Sequence, residues 1–282
     1  MCRWLNLPRS SYYYKTSEPV SEADLEEKVK QIFLESQSRY GARKIKQCLA
    51  TDGIILSRRR IRRIMKRLNL VSVYQQASFK PYAKGKNEAP IPNLLDRQFY
   101  QEKPLEVIVT DLTYVRVGQR WAYVCLIIDL FNREIIGVSV GWQKTAELVK
   151  QAIQSIPYAL TKVNLFHSDR GKEFDNQLID EVLEAFGITR SLSQAGCPYD
   201  NAVAESTYRF FKLEFIHQET FHSLKELTLK TKNYVHWWNH HRIHGSLNYQ
   251  TPIAKRVTAQ QKTLYKNCTE KCCLFKENLL CG

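Results

Sequence analysis

EVIVTDLTYVRVGQRWAYVCLIIDLF, residues 106–131, reads as two strand-like segments on either side of the pair Gly118-Gln119. β-Branched and aromatic residues flanking a two-residue turn predict two antiparallel strands joined by a tight hairpin. A turn near Asn132 and the segment REIIGVSVG add a third strand to the meander. There follow an amphipathic helix over 145–156, an apolar strand VNLFHS, a helix over 176–186, a short strand ITRSLS and a last pair of long helices. A meander that continues into strands alternating with helices predicts an α/β fold, a mixed five-stranded sheet covered on both faces.

Within that sheet Asp111 is anomalous. A carboxylate in mid-strand, among Val107, Ile108, Val109, Leu112 and Tyr114, is costly to bury without a partner or a metal. Asp169 ends the fourth strand in HSDRGKEF, so its carboxylate emerges at the strand's C-terminal edge, where open sheets bind ligands. Glu205 lies a turn into a helix that starts near Asp200, a fair N-cap, and that helix can bring it back over the two aspartates. Three clustered carboxylates repel one another unless divalent cations neutralise them. Hard oxygen donors suit Mg²⁺ or Mn²⁺, and two such ions can activate a water or sugar hydroxyl and stabilise the leaving oxygen of a phosphodiester. Asp129 is a competing acid. A two-residue loop at 118–119 sets Asp111 opposite Leu126 and Asp129 opposite Ile108, which separates the two acids by roughly 10 Å and gives Asp129 a structural or supporting part.

Upstream of the sheet the chain is basic. The protein has 42 Lys+Arg against 28 Asp+Glu, and residues 1–100 hold 20 of the cations with 9 of the acids. The charge concentrates in RRRIRRIMKR, residues 58–67. So many like charges on one short helix repel one another, which favours a polyanionic partner over a merely solvated face. A first helix is expected over 21–37, opened by Ser21 and Asp24. A second covers 42–51, with Gly53 as its stop, and a third is capped by Ser57. In the third, Ile61, Ile64, Met65 and Leu68 form the packing strip, while Arg58, Arg59, Arg62, Arg63 and Lys66 point elsewhere. Helix, turn and basic helix make a small all-α helix-turn-helix module for double-stranded DNA. The expected organisation is an N-terminal segment 1–20, the DNA-binding module 21–71, a Pro- and Lys-rich linker 72–103, a catalytic core 104–256 and a tail 257–282.

Composition narrows the function further. With 44% hydrophobic and 11% aromatic residues the chain is not disordered as a whole. Its longest apolar run, Trp121 to Ile128, is far short of the roughly 20 residues needed to span a membrane, and the first residues do not form a secretory signal. A cytoplasmic, nucleoid-associated protein is expected, its eight cysteines mostly buried thiols.

TDLTYV, HSDRGKEF and CPYDNAVAESTYRFFKLE together resemble the DDE transposases of bacterial insertion sequences and the related retroviral integrase core. SRYGARKI through IRRIMKRLNL is similar to the helix-turn-helix of the downstream-frame (OrfB) product of two-frame elements, and WWNHHRIHGSLNYQTP to their C-terminal segment. The resemblance implies a ribonuclease H-like fold, the catalytic triad Asp111, Asp169 and Glu205, and a basic residue at Lys212. It also implies a homo-oligomer that joins two element ends, and an upstream-frame (OrfA) product as partner or fusion. No leucine-zipper heptad is visible here. Glu205, Arg209 and Lys212 stand at i, i+4 and i+7, one helix face about 10 Å long, so Lys212 can hold a phosphate beside the metals. Two other readings stay open: a ribonuclease H-like nuclease that never joins, and a DNA-binding regulator with an inactive core. Cys268, Cys272, Cys273 and Cys281 fit no zinc spacing, and His236 with His240, His241 and His244 sits among tryptophans where packing or DNA contact is expected. There is no histidine before His167, unlike the viral branch with its zinc domain, and no GxxxxGK[ST] or GxSxG motif.

Overall fold

A computed structural model describes residues 22–74, 91–194 and 197–262, in two compact units, Met1–Val73 and Tyr74–Gly282. The expected cap at Ser21 and the cysteines from Cys268 onward lie outside the described residues.

The first unit holds α1 (Glu22–Glu35), α2 (Ala42–Thr51) and α3 (Arg58–Arg67). Leu25, Val29 and Phe33 from α1, Ile45 and Leu49 from α2, and Ile61, Ile64 and Met65 from α3 are buried together. Apolar residues at helical spacing supply one inward face per helix. Gly53 ends α2 at φ +78°, and Ile54 N–H returns to Leu49 O at 2.8 Å, the left-handed exit that glycine makes cheap. Ser57 caps α3 by accepting from Arg60 N–H at 3.2 Å. Leu68 falls one residue past the helix, as its C-cap, and is only half-buried.

In the second unit β1 (Val107–Val117), β2 (Arg120–Asp129) and β3 (Ile135–Gly141) form the expected meander. Then come α4 (Ala146–Gln154), β4 (Leu165–Ser168), α5 (Gln177–Ala185), β5 (Thr189–Leu192), α6 (Ala202–Glu214) and α7 (Leu224–His240). A further helix, α8, covers 252–262, where a tail was expected to begin at 257. Strand order is β3-β2-β1-β4-β5, with β1 to β3 antiparallel and β4 and β5 parallel to β1. This is the mixed five-stranded sheet of a ribonuclease H-like fold. The β1–β2 register matches the hairpin arithmetic: Asp111 faces Leu126 and Asp129 faces Ile108, with Val117 opposite Arg120 across Gly118-Gln119.

Alternation divides the core. Val107, Val109, Val115 and Val117 of β1, with Leu126 and Ile128 of β2, pack under α6 and α7 against Phe211, Phe215, Tyr234 and Trp238. Ile108, Ile127 and Phe166 face the other way, against Val149 and Ile153 of α4 and Ile179 and Leu183 of α5. At Gly137 a Cβ would stand 2.6 Å from Ala152 O, so only glycine lets α4 approach β3 this closely.

Residues 91–103, expected as the end of a linker, lie on the core instead. Leu95 is buried, Leu94 N–H and Leu95 N–H donate to Ser191 Oγ at 2.9 and 3.3 Å, and Arg97 pairs with Asp200 at 2.8 Å. Proline and lysine content marked the irregular backbone, but not the serine that anchors it.

Candidate active site

β4 runs parallel beside β1 with Val107 opposite Leu165 and Val109 opposite His167. Asp169 follows directly on β4, whose last pair with β1 is Val109–His167, so it leaves the sheet at the same end as Asp111, and its charge acts on Asp111. Asp111 has the parity of Val107 and Val109, so it belongs to the face covered by α6. α6 carries Glu205 and Lys212, and two residues fix it over this spot. Asn201 Nδ2, at its start, donates to Thr110 O at 3.0 Å. The Tyr208 hydroxyl accepts from Leu126 N–H at 2.6 Å and donates to Asp111 O, bridging the two strands at the aspartate itself. Glu205, Tyr208 and Lys212 are at i, i+3 and i+7, so whatever fixes Tyr208 also aims the other two.

Asp200 does not cap α6. A short turn of 3-10 helix, Pro198–Asn201, precedes the helix and Asn201 takes the N-cap position. The Asp200 carboxylate accepts from Arg97 Nε at 2.8 Å and Gln194 N–H at 3.0 Å, tying the 91–103 segment to the strand-to-helix loop.

The electrostatics of the cluster follow from its crowding. Burial pushes the Asp111 carboxyl up to about 7. The charges of Asp169 and Glu205 push the same way, while Leu112 N–H and Lys212 oppose them. Burial also raises Asp169, with Gly171 N–H donating to its Oδ1 at 3.0 Å, and burial raises Glu205. Where several acids share a site, the one that ionises last bears the repulsion of the others. Here that is Asp111.

Three neighbours were not picked out from the sequence. Glu173 is buried beside Asp169 and pairs with Lys144 at 2.7 Å, and Lys144 also acts electrostatically on Asp169 and Asp111. The signal for Glu173 was Gly171: a Cβ there would collide with the Glu173 carboxylate, so the glycine makes room for it. Tyr208 carried no signal beyond its helical spacing from Glu205. Nearby, His167 is buried and its pKa is pushed down to about 4 by that burial, so it stays neutral, bonded through Nδ1 to Ser191 Oγ at 2.9 Å.

Asp129 is fully buried and tied down. It accepts from Leu105 N–H at 3.0 Å, Phe131 N–H at 2.9 Å and Arg256 Nη2 at 2.8 Å. Arg256 also pairs with Glu134 at 2.6 Å. Its part is structural, as the register implied. A cleft lined by Tyr100, Lys103, Leu105, Phe131 and Lys255 opens at that far end of β1 and touches none of the three acids.

Asp111, Asp169 and Glu205 are hard oxygen donors whose mutual repulsion is relieved among the described residues chiefly by Lys212 and Lys144, a set that fits Mg²⁺ or Mn²⁺ in chemistry and charge. As the side chains lie, no three acidic, histidine or cysteine groups among the described residues close on one point to grip a metal. A stability measurement tests this charge balance. A raised carboxyl pKa means that folding stability falls as pH climbs from the unfolded value near 4 through about 7. At pH 8 in EDTA, Asp111→Asn is therefore expected to stabilise the protein by about 2 kcal/mol, and at pH 4 to change little. Mg²⁺ should raise the melting temperature of the parent but not of the variant.

Arg209 is exposed on α6. In the first unit Arg58, Arg59, Arg62, Arg63 and Lys66 are all exposed, and none has an ion-pair partner among the described residues. Arg60 and Arg67 behave differently: both reach Glu22, and Arg67 also reaches Glu26 at 2.7 Å. α3 thus directs two cations to α1 and offers five to solvent. In α7 the His236 and His240 rings stack at 4.4 Å.

The description "integrase core domain" matches residues 101–198 and again 186–252, and "HTH-like domain" matches residues 20–78. The chain is 30% identical over 264 residues to InsK of Escherichia coli K12, named as a putative transposase for insertion sequence element IS150, covering 91% of this chain and 92% of that protein. It is 29% identical over 240 residues to the transposase for insertion sequence element IS904 of Lactococcus lactis, covering 84% and 95%. Among solved structures, the catalytic core of the HTLV-2 integrase in complex with magnesium is similar over 54% of this chain and 97% of its own, at 16% identity and TM-score 0.44. That likeness adds nothing to the fold that the strand order establishes.

Proposed function

We propose that this chain, which belongs to the transposases of bacterial insertion sequences with an integrase core, uses Asp111, Asp169 and Glu205 as catalytic acids to cut and then join DNA. It is a polynucleotidyl transferase of transposition and DNA integration. What supports the site assignment is that the charges of Asp169, just past the strand parallel to β1, and of Glu205, on the helix bonded to Asp111 O, both act on Asp111.

The three carboxylates would hold two Mg²⁺ or Mn²⁺ ions, which when bound activate first a water and then a 3′-hydroxyl and stabilise the leaving oxygen. Lys212, whose charge already acts on Asp111, holds a phosphate of the substrate beside the acids. Arg209 adds a second cation on the same helix. Tyr208 keeps Glu205 and Lys212 in register with Asp111. Lys144 neutralises Glu173, so that acid does not add to the repulsion. The joining step is a transesterification, and no high-energy cofactor is needed.

Residues 21–71 act as the DNA-binding module and 104–256 as the catalytic core, and the α3 face of Arg58, Arg59, Arg62, Arg63 and Lys66 takes phosphates of the element ends. Two ends require at least two copies of the chain, and the upstream-frame product contributes to recognising them. The work is done on DNA in the cytoplasm, at the nucleoid.

The test is purified protein with labelled element ends, a target plasmid and Mg²⁺. Joined products are expected, and nicking with no joining under any divalent ion would contradict the reading. For the module, Arg59→Gln with Arg62→Gln and Arg63→Gln should lower the slope of log affinity against log salt by about 0.9 per lost phosphate contact. An unchanged slope would remove α3 from the interface.

A further inference from the structure

β4 pairs with β1 only at 107–109, so the β1–β2 hairpin extends past the candidate site and its far half emerges from under α4 and α5. On the face that carries Leu112, Tyr114 is 59% exposed and Trp121 48% exposed. Their rings meet edge to face with centroids 5.1 Å apart. Single exposed aromatics are ordinary on a protein surface. These two are in contact, and cations surround them. The Arg116 guanidinium lies 5.2 Å from the Trp121 ring and Lys212 Nζ 5.4 Å from the Tyr114 ring. Arg116 is held in place by Gly118 O at 3.1 Å and Gln119 Oε1 at 3.1 Å. No carboxylate forms an ion pair with Arg116 or Lys212 among the described residues.

Lys212 belongs to both sites, since its charge also acts on Asp111. Tyr114 lies three residues beyond Asp111, about 10 Å along the strand and on the other face of the hairpin, where Lys212 reaches it from α6; that distance is about three nucleotides at ~3.4 Å each. Exposed aromatic faces flanked by free cations match the needs of unpaired nucleotides: the base stacks on the ring and the phosphate meets the cation. A closed duplex cannot use such a surface, because its bases already stack on one another.

We propose that Tyr114 and Trp121 form a stacking platform for unpaired nucleobases of the DNA strand leading into the candidate site, with Arg116 and Lys212 meeting its phosphates. The proposal rests on the reading that the chain acts on DNA, and deepens it: the preferred substrate is opened within about three nucleotides of the reacting phosphodiester.

The full-length chain, without divalent cations so that nothing is cut, is titrated with a fluorescent duplex and with the same duplex carrying a three-nucleotide single-stranded flank. The flank is expected to tighten binding by about tenfold. Tyr114→Ala with Trp121→Ala should abolish that gain and leave the affinity for blunt duplex unchanged. Tyr114→Phe with Trp121→Phe keeps both aromatic faces and should retain it. Arg116→Gln should lower the salt slope on flanked DNA by about 0.7 per lost phosphate contact. Equal binding of both DNAs by the parent, equal weakening on both by the alanine pair, or loss of the preference in the phenylalanine pair would overturn the platform. No cleavage is read, so failure here leaves the three acids untouched, and failure of the acids leaves this binding result standing.

Discussion

Asp169→Asn and Glu205→Gln are each expected to lower DNA cleavage and strand transfer about a thousandfold, with DNA affinity within about twofold of the parent. Both substitutions keep shape and hydrogen-bonding capacity; in Asp169→Asn the amide oxygen can still accept from Gly171 N–H, as the carboxylate does at 3.0 Å. What they remove is one negative charge from a cluster in which Asp169 and Glu205 both act on Asp111. Asp111→Asn should behave alike, with the added stability in EDTA described above. Asp129→Asn makes a useful contrast, because it disturbs the Arg256 and Glu134 network at the other end of β1. It should cost stability first and activity only as a consequence. Rates within tenfold of the parent for Asp169→Asn or Glu205→Gln would contradict the assignment.

Arg242→Met is expected to destabilise the second unit by about 3–5 kcal/mol, read as a fall in melting temperature of about 10 °C. Glu214 is fully buried at the last residue of α6, and it accepts from Arg242 Nε at 2.9 Å, Arg242 Nη2 at 2.8 Å, Tyr234 at 3.0 Å and Tyr74. The guanidinium also lies over Trp238 at 4.3 Å and Phe210 at 4.7 Å. Removing it strands a carboxylate in an apolar layer. Replacing both partners, Glu214→Leu with Arg242→Met, should recover much of the loss, since a buried pair gives back in attraction roughly what desolvation takes. A single variant as stable as the parent in a denaturant titration would contradict this account. The pair also matters to the site: it fixes the C-terminal end of the helix that Tyr208 and Asn201 fix in the middle and at the start.

What the sequence disclosed, and what it withheld, follows from the range of each interaction. Strand periodicity and the Gly118-Gln119 turn are local, and they gave the β1–β2 register residue by residue, including the separation of Asp111 from Asp129. The strip and charge pattern of α3 are local too: five cations point away from the packing strip and are exposed. The pairing of Arg60 and Arg67 with Glu22 spans the module and left no trace in spacing. Asp200 has the sequence signature of a cap, an acidic residue before an apolar run. A distant arginine, Arg97, claims it instead. Residues 91–103 have the composition of a linker for the same reason: the hydrogen bonds that hold Leu94 and Leu95 come from Ser191, nearly a hundred residues on. Glu173, Lys144 and Tyr208 act at the site through tertiary contacts alone. The resemblance of TDLTYV, HSDRGKEF and CPYDNAVAESTYRFFKLE carried the triad further than periodicity could, because motif spacing summarises contacts that local patterns do not encode.

The most direct measurement is anomalous diffraction from crystals of the full chain soaked with Mn²⁺. The account predicts Mn²⁺ bound by carboxylate oxygens of Asp111 and Asp169 at about 2.1–2.3 Å, with Glu205 on the same centre or on a second ion beside it. An anomalous peak held elsewhere in the core, with these three carboxylates unliganded at saturating Mn²⁺, would contradict it.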